Sequence, residues 1–353
     1  MKRLVTALGL SASFAIAWHT FEEIPLVVLG QPSMTGKIQS DLEDPFFRQV
    51  HEKSRIKFRT EYTPINLAGY RDTHELQLLK QKKADIISLR FPQNSADEMS
   101  LQGIDIAGMI GDFAEAKDAA HAYSDIVDKN LRTKYGAKLL GVWTFGPQEI
   151  FCTTKIRRLQ DLRGLRVRTS SQQMSSFVIA LGAKPAIIDF GETLTALRDG
   201  LIDCAITSSV SANHAGWPRY AKYKYPFAFQ FGLNGYAITL EKWNSLTRDQ
   251  QVRLQKAFDE HIRHMWRYSE FLKKDLARCF TGESCVSGTT YKGSISPVTP
   301  GDRHLARQIM KTKILPEWEA QCDLVQDSCR KEWDQRLGRL LLLWIDKDRR
   351  SKT

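Results

Sequence analysis

Residues 161–208 read DLRGLRVRTSSQQMSSFVIALGAKPAIIDFGETLTALRDGLIDCAITS, and they predict five consecutive elements. The first is a strand at Leu165–Thr169, because its apolar and charged residues alternate with a period of two. The others are a helix at Met174–Leu181, a strand at Lys184–Asp189, a helix at Glu192–Arg198 and a strand at Leu201–Thr207. This alternation predicts a parallel sheet with right-handed crossovers.

Arg168 is the residue of this stretch that most suggests a function. It is a cation at or near the end of a short strand, and strand ends of such units usually line a ligand crevice. The alternative is a salt bridge at the surface or between two lobes.

The composition is that of a globular protein, and it argues against several functions. The chain has 353 residues and a formal net charge of +11. Its basic residues are spread out rather than clustered, which favours a solvated basic surface over nucleic-acid binding. There is no P-loop, GxGxxG or GxSxG motif, so an enzyme is not expected. His261 and His264 lie three apart on a predicted helix but lack a third ligand, so we expect exposed histidines, no metal and no cofactor.

The N-terminus has the pattern of a secretory signal peptide. A short basic region is followed by an apolar run, and a small-x-small site ends at Ala17. We therefore predict a signal peptide at residues 1–17 and a periplasmic mature protein that does not span the membrane. The alternative is an uncleaved membrane anchor.

The six cysteines fit an oxidising compartment. Cys279 and Cys285 flank a predicted turn and are the best disulfide candidate. Cys322 and Cys329 would pair only if the helix that carries them breaks, because seven residues of helix span about 10 Å. Cys152 and Cys204 are interpreted as small buried apolar residues, and whether they pair is left open.

Strands and helices also alternate outside the central stretch, where a buried strand is predicted at Ala84–Leu89. Gly235–Leu240 is a strand that could return the chain to a first sheet, and a long, bent or broken helix is predicted from Asp249 to about Ala277. The chain is predicted to cross between two lobes several times, which suggests a hinge. The predicted first lobe comprises residues 18–145 and 232–265, and the second comprises residues 146–231 and 266–353.

The central stretch resembles a known family. DLRGLRVR, at residues 161–168, resembles D-L-K-G-L-K-[IV]-R, and residues 181–203 resemble L-G-A-x-P-x-x-x-x-x-x-E-x-x-x-A-L-x-x-G-x-[IV]-D. Both patterns are typical of the dicarboxylate-binding (DctP) family, the solute-binding subunits of tripartite ATP-independent periplasmic (TRAP) transporters.

The resemblance implies a two-lobed α/β periplasmic-binding-protein fold. Each lobe would hold a sheet flanked by helices, with a long helix crossing both lobes and extra helices at the C-terminus. It also implies that the protein captures an organic acid and docks on a permease driven by an ion gradient. A monomer is expected. The alternative partner is a membrane sensor kinase.

The resemblance also gives a set of site residues. Arg168 matches the arginine that clamps the ligand carboxylate, and Phe190 matches an aromatic residue that packs on the ligand. Gln148 stands where many relatives carry a second arginine, and Thr207 stands where many have asparagine. These departures leave open a ligand that differs from the usual one. Weaker candidates, with capping or packing as the alternative, are Ser208, Asn213, Trp217, Trp143, Phe151, Gln31 and Ser33.

Overall fold

The computed structural model describes residues 23–325 and 328–350, so the predicted signal peptide lies outside the described residues. The strands are β1 Ile24–Gly30, β2 Phe58–Pro64, β3 Ile86–Arg90, β4 Ala137–Thr144, β5 Gln148–Cys152, β6 Arg166–Thr169, β7 Lys184–Ile187, β8 Cys204–Ser208, β9 Tyr223–Tyr225, β10 Leu233–Thr239 and β11 Ser294–Ile295.

The α-helices are α1 Asp44–Arg48, α2 Val50–Ser54, α3 Glu75–Lys80, α4 Phe91–Asn94, α5 Met99–Gly103, α6 Phe113–Tyr135, α7 Gln172–Ala180, α8 Thr193–Arg198, α9 Ser209–His214, α10 Leu240–Ser245, α11 Arg248–Thr281, α12 Pro300–Ile309, α13 Leu315–Val325, α14 Cys329–Trp333 and α15 Arg339–Arg350. Short 3₁₀ turns lie at Ser33–Thr35, Asp72–His74, Leu159–Leu162, Phe190–Glu192 and Trp217–Arg219, and π-helical turns at Gln39–Glu43, Met310–Ile314 and Asp334–Gly338.

The first sheet has the strand order β2-β1-β3-β10-β4, and we call the part of the molecule built on it the first lobe. β1 pairs in parallel with β2 and β3, whereas β10 runs antiparallel between β3 and β4. The predicted return of the chain to the first sheet near Gly235–Leu240 is therefore confirmed. The apolar strands are buried because helices cover them, and Ile86 and Ile87 of β3 are fully buried.

The second sheet has the order β11-β9-β5-β8-β6-β7 and defines the second lobe. β6 pairs in parallel with β7 and with β8, which confirms the parallel unit predicted from residues 161–208. Each of the five predicted elements is present, with its ends shifted by at most three residues.

The long helix α11 crosses both lobes, as expected. It has 34 residues and is continuous, so the predicted break is wrong, whereas the predicted bend stays a prediction. Near its middle, Trp266 Nε1 donates to the carbonyl of Val142 in β4 at 2.9 Å. Near its C-terminal end, Phe280 packs on Phe151 in β5, with ring centroids 5.8 Å apart.

The C-terminal helices contact elements of both lobes. Trp318 Nε1 donates to the carbonyl of Met99 at 3.0 Å, whereas Asp302 in α12 accepts from the amide of Leu159 at 2.8 Å. The extra C-terminal helices of the predicted fold are therefore present. The division into residues 18–145 plus 232–265 and 146–231 plus 266–353 stays a prediction.

Disulfides join the six cysteines in pairs. Cys152 and Cys204 are both buried, as expected, but they are bonded to each other rather than being free thiols. The reason is that antiparallel pairing of β5 with β8 sets them directly opposite, with Cα atoms 4.0 Å apart. Cys279 is bonded to Cys285, with Cα atoms 5.3 Å apart.

Cys322 and Cys329 were expected to pair only if the helix that carries them breaks, and they lie in two different helices. Cys322 lies in α13 and Cys329 begins α14, and their Cα atoms are 5.6 Å apart, as a bond between them requires.

One expectation for the histidines is wrong. His264 is exposed, but His261 is buried against Phe46, with ring centroids 3.9 Å apart. Burial lowers the pKa of His261 to about 3, so this ring is neutral and forms part of the core.

Candidate functional site

A cleft of about 540 Å³ lies between the two lobes. It is lined by the C-terminal ends of the parallel strands β3, β6 and β8 and by segments that follow β2 and β7, in keeping with the position of ligand crevices in open α/β sheets. The lining residues are Pro32, Ile65, Asn66, Tyr70, Arg71, Asp72, Thr73, Arg90, Pro92, Gln93, Phe145, Gln148, Arg168, Thr169, Ser170, Ile187, Ile188, Asp189, Phe190, Thr207, Gln230, Gly232 and Asn234.

Arg168 is the most buried cation of this lining, with 6% of its surface exposed. The alternation of β6 turns Arg166 outward, where it forms a bidentate pair with Asp203, and turns Arg168 inward. Main-chain carbonyls hold the inward guanidinium in place. Its Nε donates to Ile188 O at 3.0 Å and its Nη1 donates to Ile206 O at 3.2 Å.

Arg168 has no acidic partner within 4.0 Å among residues 23–325 and 328–346, and its Nη2 makes no hydrogen bond to them. The pKa of Arg168 is lowered to about 10, mainly by burial and also by the positive charge of Arg90 on the first lobe, against a smaller opposite effect of Asp189. The group is still a cation at neutral pH. It is therefore a buried positive charge that an anion in the cleft would stabilise.

Aromatic rings lie against the Arg168 guanidinium. The Phe190 and Trp217 rings each have their centroid 5.9 Å from Arg168 Cζ, and the two centroids are 5.2 Å apart. Phe190 lines the cleft, whereas Trp217 is fully buried behind it. A cation over aromatic faces is favoured electrostatically, so the rings help to hold the guanidinium.

Gln148 and Thr207 also line the cleft, on neighbouring strands of the second sheet. Gln148 Nε2 donates to Gly146 O at 3.1 Å. Gly232 lies beside it with φ +57°, and a Cβ at this position would come within 2.6 Å of Gln148 Nε2. The positive φ therefore favours glycine here, and any larger residue would also have to displace the Gln148 side chain.

The other predicted site residues do not line the cleft. Ser208 caps α9 by accepting from the amide of Ser211 at 3.1 Å, and Asn213 bonds to the backbone of Thr289. Trp143 and Phe151 are core residues, packed on Tyr236 and Phe280 respectively. Their contact with a ligand stays a prediction, because each is occupied in packing or capping.

Gln31 and Ser33 follow β1, as predicted, but neither lines the cleft. Gln31 is fully buried, and its side chain donates to the carbonyl of Ser88 at 3.0 Å. Ser33 bonds to the side chain of Asn66, which does line the cleft, so Ser33 acts on the cleft only through Asn66.

Sequence reasoning missed the charged wall that the first lobe contributes. Arg90, the last residue of β3, forms an ion pair with Asp72. Beneath them, buried Glu75 accepts from the amide of Arg90 at 2.6 Å and from Asn94 Nδ2 at 2.7 Å. A cation at the end of a buried strand was the signal, but the predicted strand stopped one residue earlier.

Comparison with known proteins agrees with this geometry. Residues 35–295 match the family model described as bacterial extracellular solute-binding protein, family 7. The chain belongs to this family, DctP. The resemblance found in residues 161–203 is therefore confirmed.

Curated relatives match the DctP-family chain over part of their length. A C4-dicarboxylate-binding periplasmic protein DctP of Rhodobacter capsulatus is 29% identical over 124 residues, which are 34% of this chain and 37% of that protein. An uncharacterized protein of Haemophilus influenzae is 24% identical over 166 residues, 46% of this chain. The chain thus matches about half of the latter, 51%.

Solved structures share the fold over nearly their whole length. A TRAP periplasmic solute-binding protein of Desulfovibrio salexigens with bound orotic acid has a TM-score of 0.76 at 16% identity, covering 89% of this chain and 99% of that chain. A Bordetella pertussis extracytoplasmic solute receptor that binds pyroglutamic acid has a TM-score of 0.75 at 15% identity, with the same coverage.

A third structure is the TRAP solute-binding protein of Rhodoferax ferrireducens with bound malonate, with a TM-score of 0.75 at 15% identity, covering 90% of this chain and 98% of that one. These likenesses establish the two-lobed periplasmic-binding-protein fold. Within the described part of the chain, no helix combines the length and apolar character needed to cross a membrane.

Proposed function

We propose that this protein is a periplasmic solute-binding protein that captures an organic acid between its lobes and delivers it to a TRAP-type permease. It binds without performing a reaction. The observation that carries the proposal is the buried Arg168 guanidinium, which lines the cleft without an acid at ion-pair distance among the described residues.

A carboxylate is the ligand that this guanidinium suits. The fixed fork of an arginine can donate two parallel hydrogen bonds to a carboxylate, and burial strengthens them. Hydrogen bonds to charged groups contribute roughly 1.5–3 kcal/mol each, so removal of the guanidinium should weaken binding about a hundredfold or more. Phe190, Gln148 and Thr207 would contact the rest of the ligand.

The family and its structural relatives support this proposal. Orotic acid, pyroglutamic acid and malonate, the ligands of the three structures described above, all carry a carboxylate. The delivery step follows from the family, whose structural relatives are TRAP solute-binding proteins.

A thermal-shift screen of organic acids tests the proposal. A ligand that binds only the folded state must raise its melting temperature. We expect at least one acid to stabilise the wild-type protein and the Arg166→Gln control, and to stabilise Arg168→Gln far less at the same concentration. Arg166 is a matched control because it lies two residues away on β6 but is exposed and paired with Asp203. Equal stabilisation of Arg168→Gln would overturn the role of Arg168.

A further inference from the structure

The first lobe presents a charge-neutral pair to the cleft that holds Arg168. Asp72 and Arg90 both line the cleft, and the Asp72 carboxylate contacts Arg90 Nη1. Their side chains are 27% and 20% exposed, so neither is a freely solvated surface charge. The carboxylate of Asp72 therefore neutralises the positive charge of Arg90 in the ligand-free protein.

Buried groups hold this pair in place. Asn94 Nδ2 donates to the main-chain carbonyl of Asp72 at 2.9 Å and to Glu75 at 2.7 Å, and Glu75 also binds the Arg90 amide. Glu75 is fully buried and Asn94 is 1% exposed. Hydrogen bonds from these two buried side chains therefore fix the backbone of the Asp72–Arg90 pair and hold the pair at the cleft wall.

The charged residues that line the cleft leave one positive charge without a negative partner. Three arginines and two aspartates line the cleft, which leaves one net positive charge. Arg90 is paired with Asp72, and Arg71 and Asp189 are exposed and opposite in sign, so solvent screens them. The uncompensated charge is that of Arg168. One carboxylate neutralises it, whereas a second carboxylate near the first lobe would approach Asp72.

We infer that Asp72 makes the site selective for acids with one carboxylate and an uncharged, hydrogen-bonding remainder. The carboxylate binds Arg168, and the remainder lies against Arg90 and Asp72, which offer a donor and an acceptor. The amides of Gln93, Gln148 and Asn234 provide further uncharged partners in the same cleft. This inference rests on the proposed function and adds to it the class of acid and the residue that selects it.

Matched pairs of acids test the inference on the wild-type protein. In each pair, one end is a carboxylate in both members, and the other end is either charged or neutral: succinate with succinamate, glucarate with gluconate, and 2-oxoglutarate with 2-oxoglutaramate. We expect the member with the neutral end to bind at least about tenfold more tightly in titration calorimetry, since an unpaired or repelled buried charge is costly. Preference for the diacid in the pair that binds best would overturn the inference.

Asp72→Asn tests which residue selects. Loss of the Asp72 charge frees Arg90 for a second carboxylate, so the preference should shift toward the diacid by about tenfold or more. Asp199→Asn is the control, because Asp199 also pairs with a neighbouring arginine but lies outside the cleft. If the ratio of diacid affinity to monoacid affinity is the same in Asp72→Asn as in the wild type, the role of Asp72 is overturned.

The outcomes separate this inference from the proposed function. Tight binding of diacids that depends on Arg168 would leave the proposed function standing and refute the selectivity. If Asp72→Asn does not fold, the matched pairs of acids still test the selectivity on the wild-type protein. Absence of binding by every acid would count against both proposals.

Discussion

At the residue scale, we expect Arg168, the proposed binding group, to oppose the stability of the ligand-free fold. Its guanidinium is 6% exposed and lacks an acidic partner within ion-pair distance in the described residues, and its pKa is lowered to about 10. One pKa unit corresponds to about 1.4 kcal/mol, so burying this charge costs up to about 3 kcal/mol of folding free energy. A buried charge of this kind destabilises the ligand-free fold. Such a cost is expected when the function of the group is to bind an anionic ligand.

Replacement of Arg168 should therefore separate binding from stability. We predict that ligand-free Arg168→Gln has an unfolding free energy equal to that of the wild type or higher by up to about 3 kcal/mol. Urea denaturation at pH 7 of both proteins, after unfolding and refolding to remove ligand, measures this difference. A variant destabilised by more than about 1 kcal/mol would show that the hydrogen bonds of Arg168 to Ile188 and Ile206 dominate.

Glu43 makes stability depend on pH. It is fully buried, and burial raises its pKa to about 7, against smaller opposing hydrogen bonds that include the Gln31 amide. Because the folded pKa lies above the unfolded value near 4.5, this group favours folding at low pH and loses that contribution as pH rises toward 7. The contribution of Glu43 to the unfolding free energy should therefore fall between pH 5 and pH 8.

Glu43→Gln tests this dependence, since an amide does not titrate. We predict that the wild type loses on the order of 3 kcal/mol more than Glu43→Gln between pH 5 and pH 8 in urea denaturation. Asp249→Asn, an exposed acid at the start of α11, should behave as the wild type does. Parallel pH profiles for wild type and Glu43→Gln would refute the assignment.

Single residues were predicted where the sequence carried a local signal. Arg168 was found because alternation in Leu165–Thr169 placed a cation on a short strand, and its inward direction follows from the same alternation. Arg90 carries an equivalent signal but was missed, because the predicted strand ended at Leu89. Asp72 lies in a 3₁₀ turn that only the folded chain brings beside Arg90.

At the scale of elements, local sequence patterns predicted which segments form helices or strands. They did not predict which residues of neighbouring strands lie opposite each other. The five elements of residues 161–208 and the return strand β10 follow from periodicity and helix stops. The bond between Cys152 and Cys204 depends on which residues of β5 and β8 face each other, and no local pattern encodes that. For the same reason, Trp143 and Phe151 could not be separated into pocket or core.

The disulfides that close longer loops should stabilise the fold more, with a contribution that grows as the logarithm of loop length. In the chain-entropy model, the bond between Cys152 and Cys204, with a separation of 52 residues, contributes about 4 kcal/mol, and that between Cys322 and Cys329, with a separation of 7, about 2 kcal/mol. We predict that the alanine double mutant of the first pair is the less stable in urea denaturation. The opposite order would show that local packing outweighs loop closure.

At the scale of the whole molecule, we expect the segments that join the lobes to act as a hinge. The chain passes between the sheets after β4 and after β9, and α11 contacts both lobes. Gln230, in the second crossing, donates to Asp105 O at 2.7 Å and also lines the cleft. A ligand bridging the two walls would favour a closed arrangement of such a hinge.

Closure should be visible in solution. The radius of gyration of a compact chain of this size is about 20 Å. We predict that it decreases when the acid that stabilises the protein most is added, as measured by small-angle X-ray scattering. Arg168→Gln at the same acid concentration should show no decrease. Identical scattering of the wild type with and without the acid would argue against closure.

The binding of one organic acid through Arg168 is tested most directly by native mass spectrometry. The protein from residue 18 onward, Arg168→Gln and Arg166→Gln would each be measured as purified and after incubation with the acid panel. We predict one acid per chain on the wild type and on Arg166→Gln, and none on Arg168→Gln. Equal occupancy of Arg168→Gln, or no acid on any of the three proteins, would contradict the proposed function.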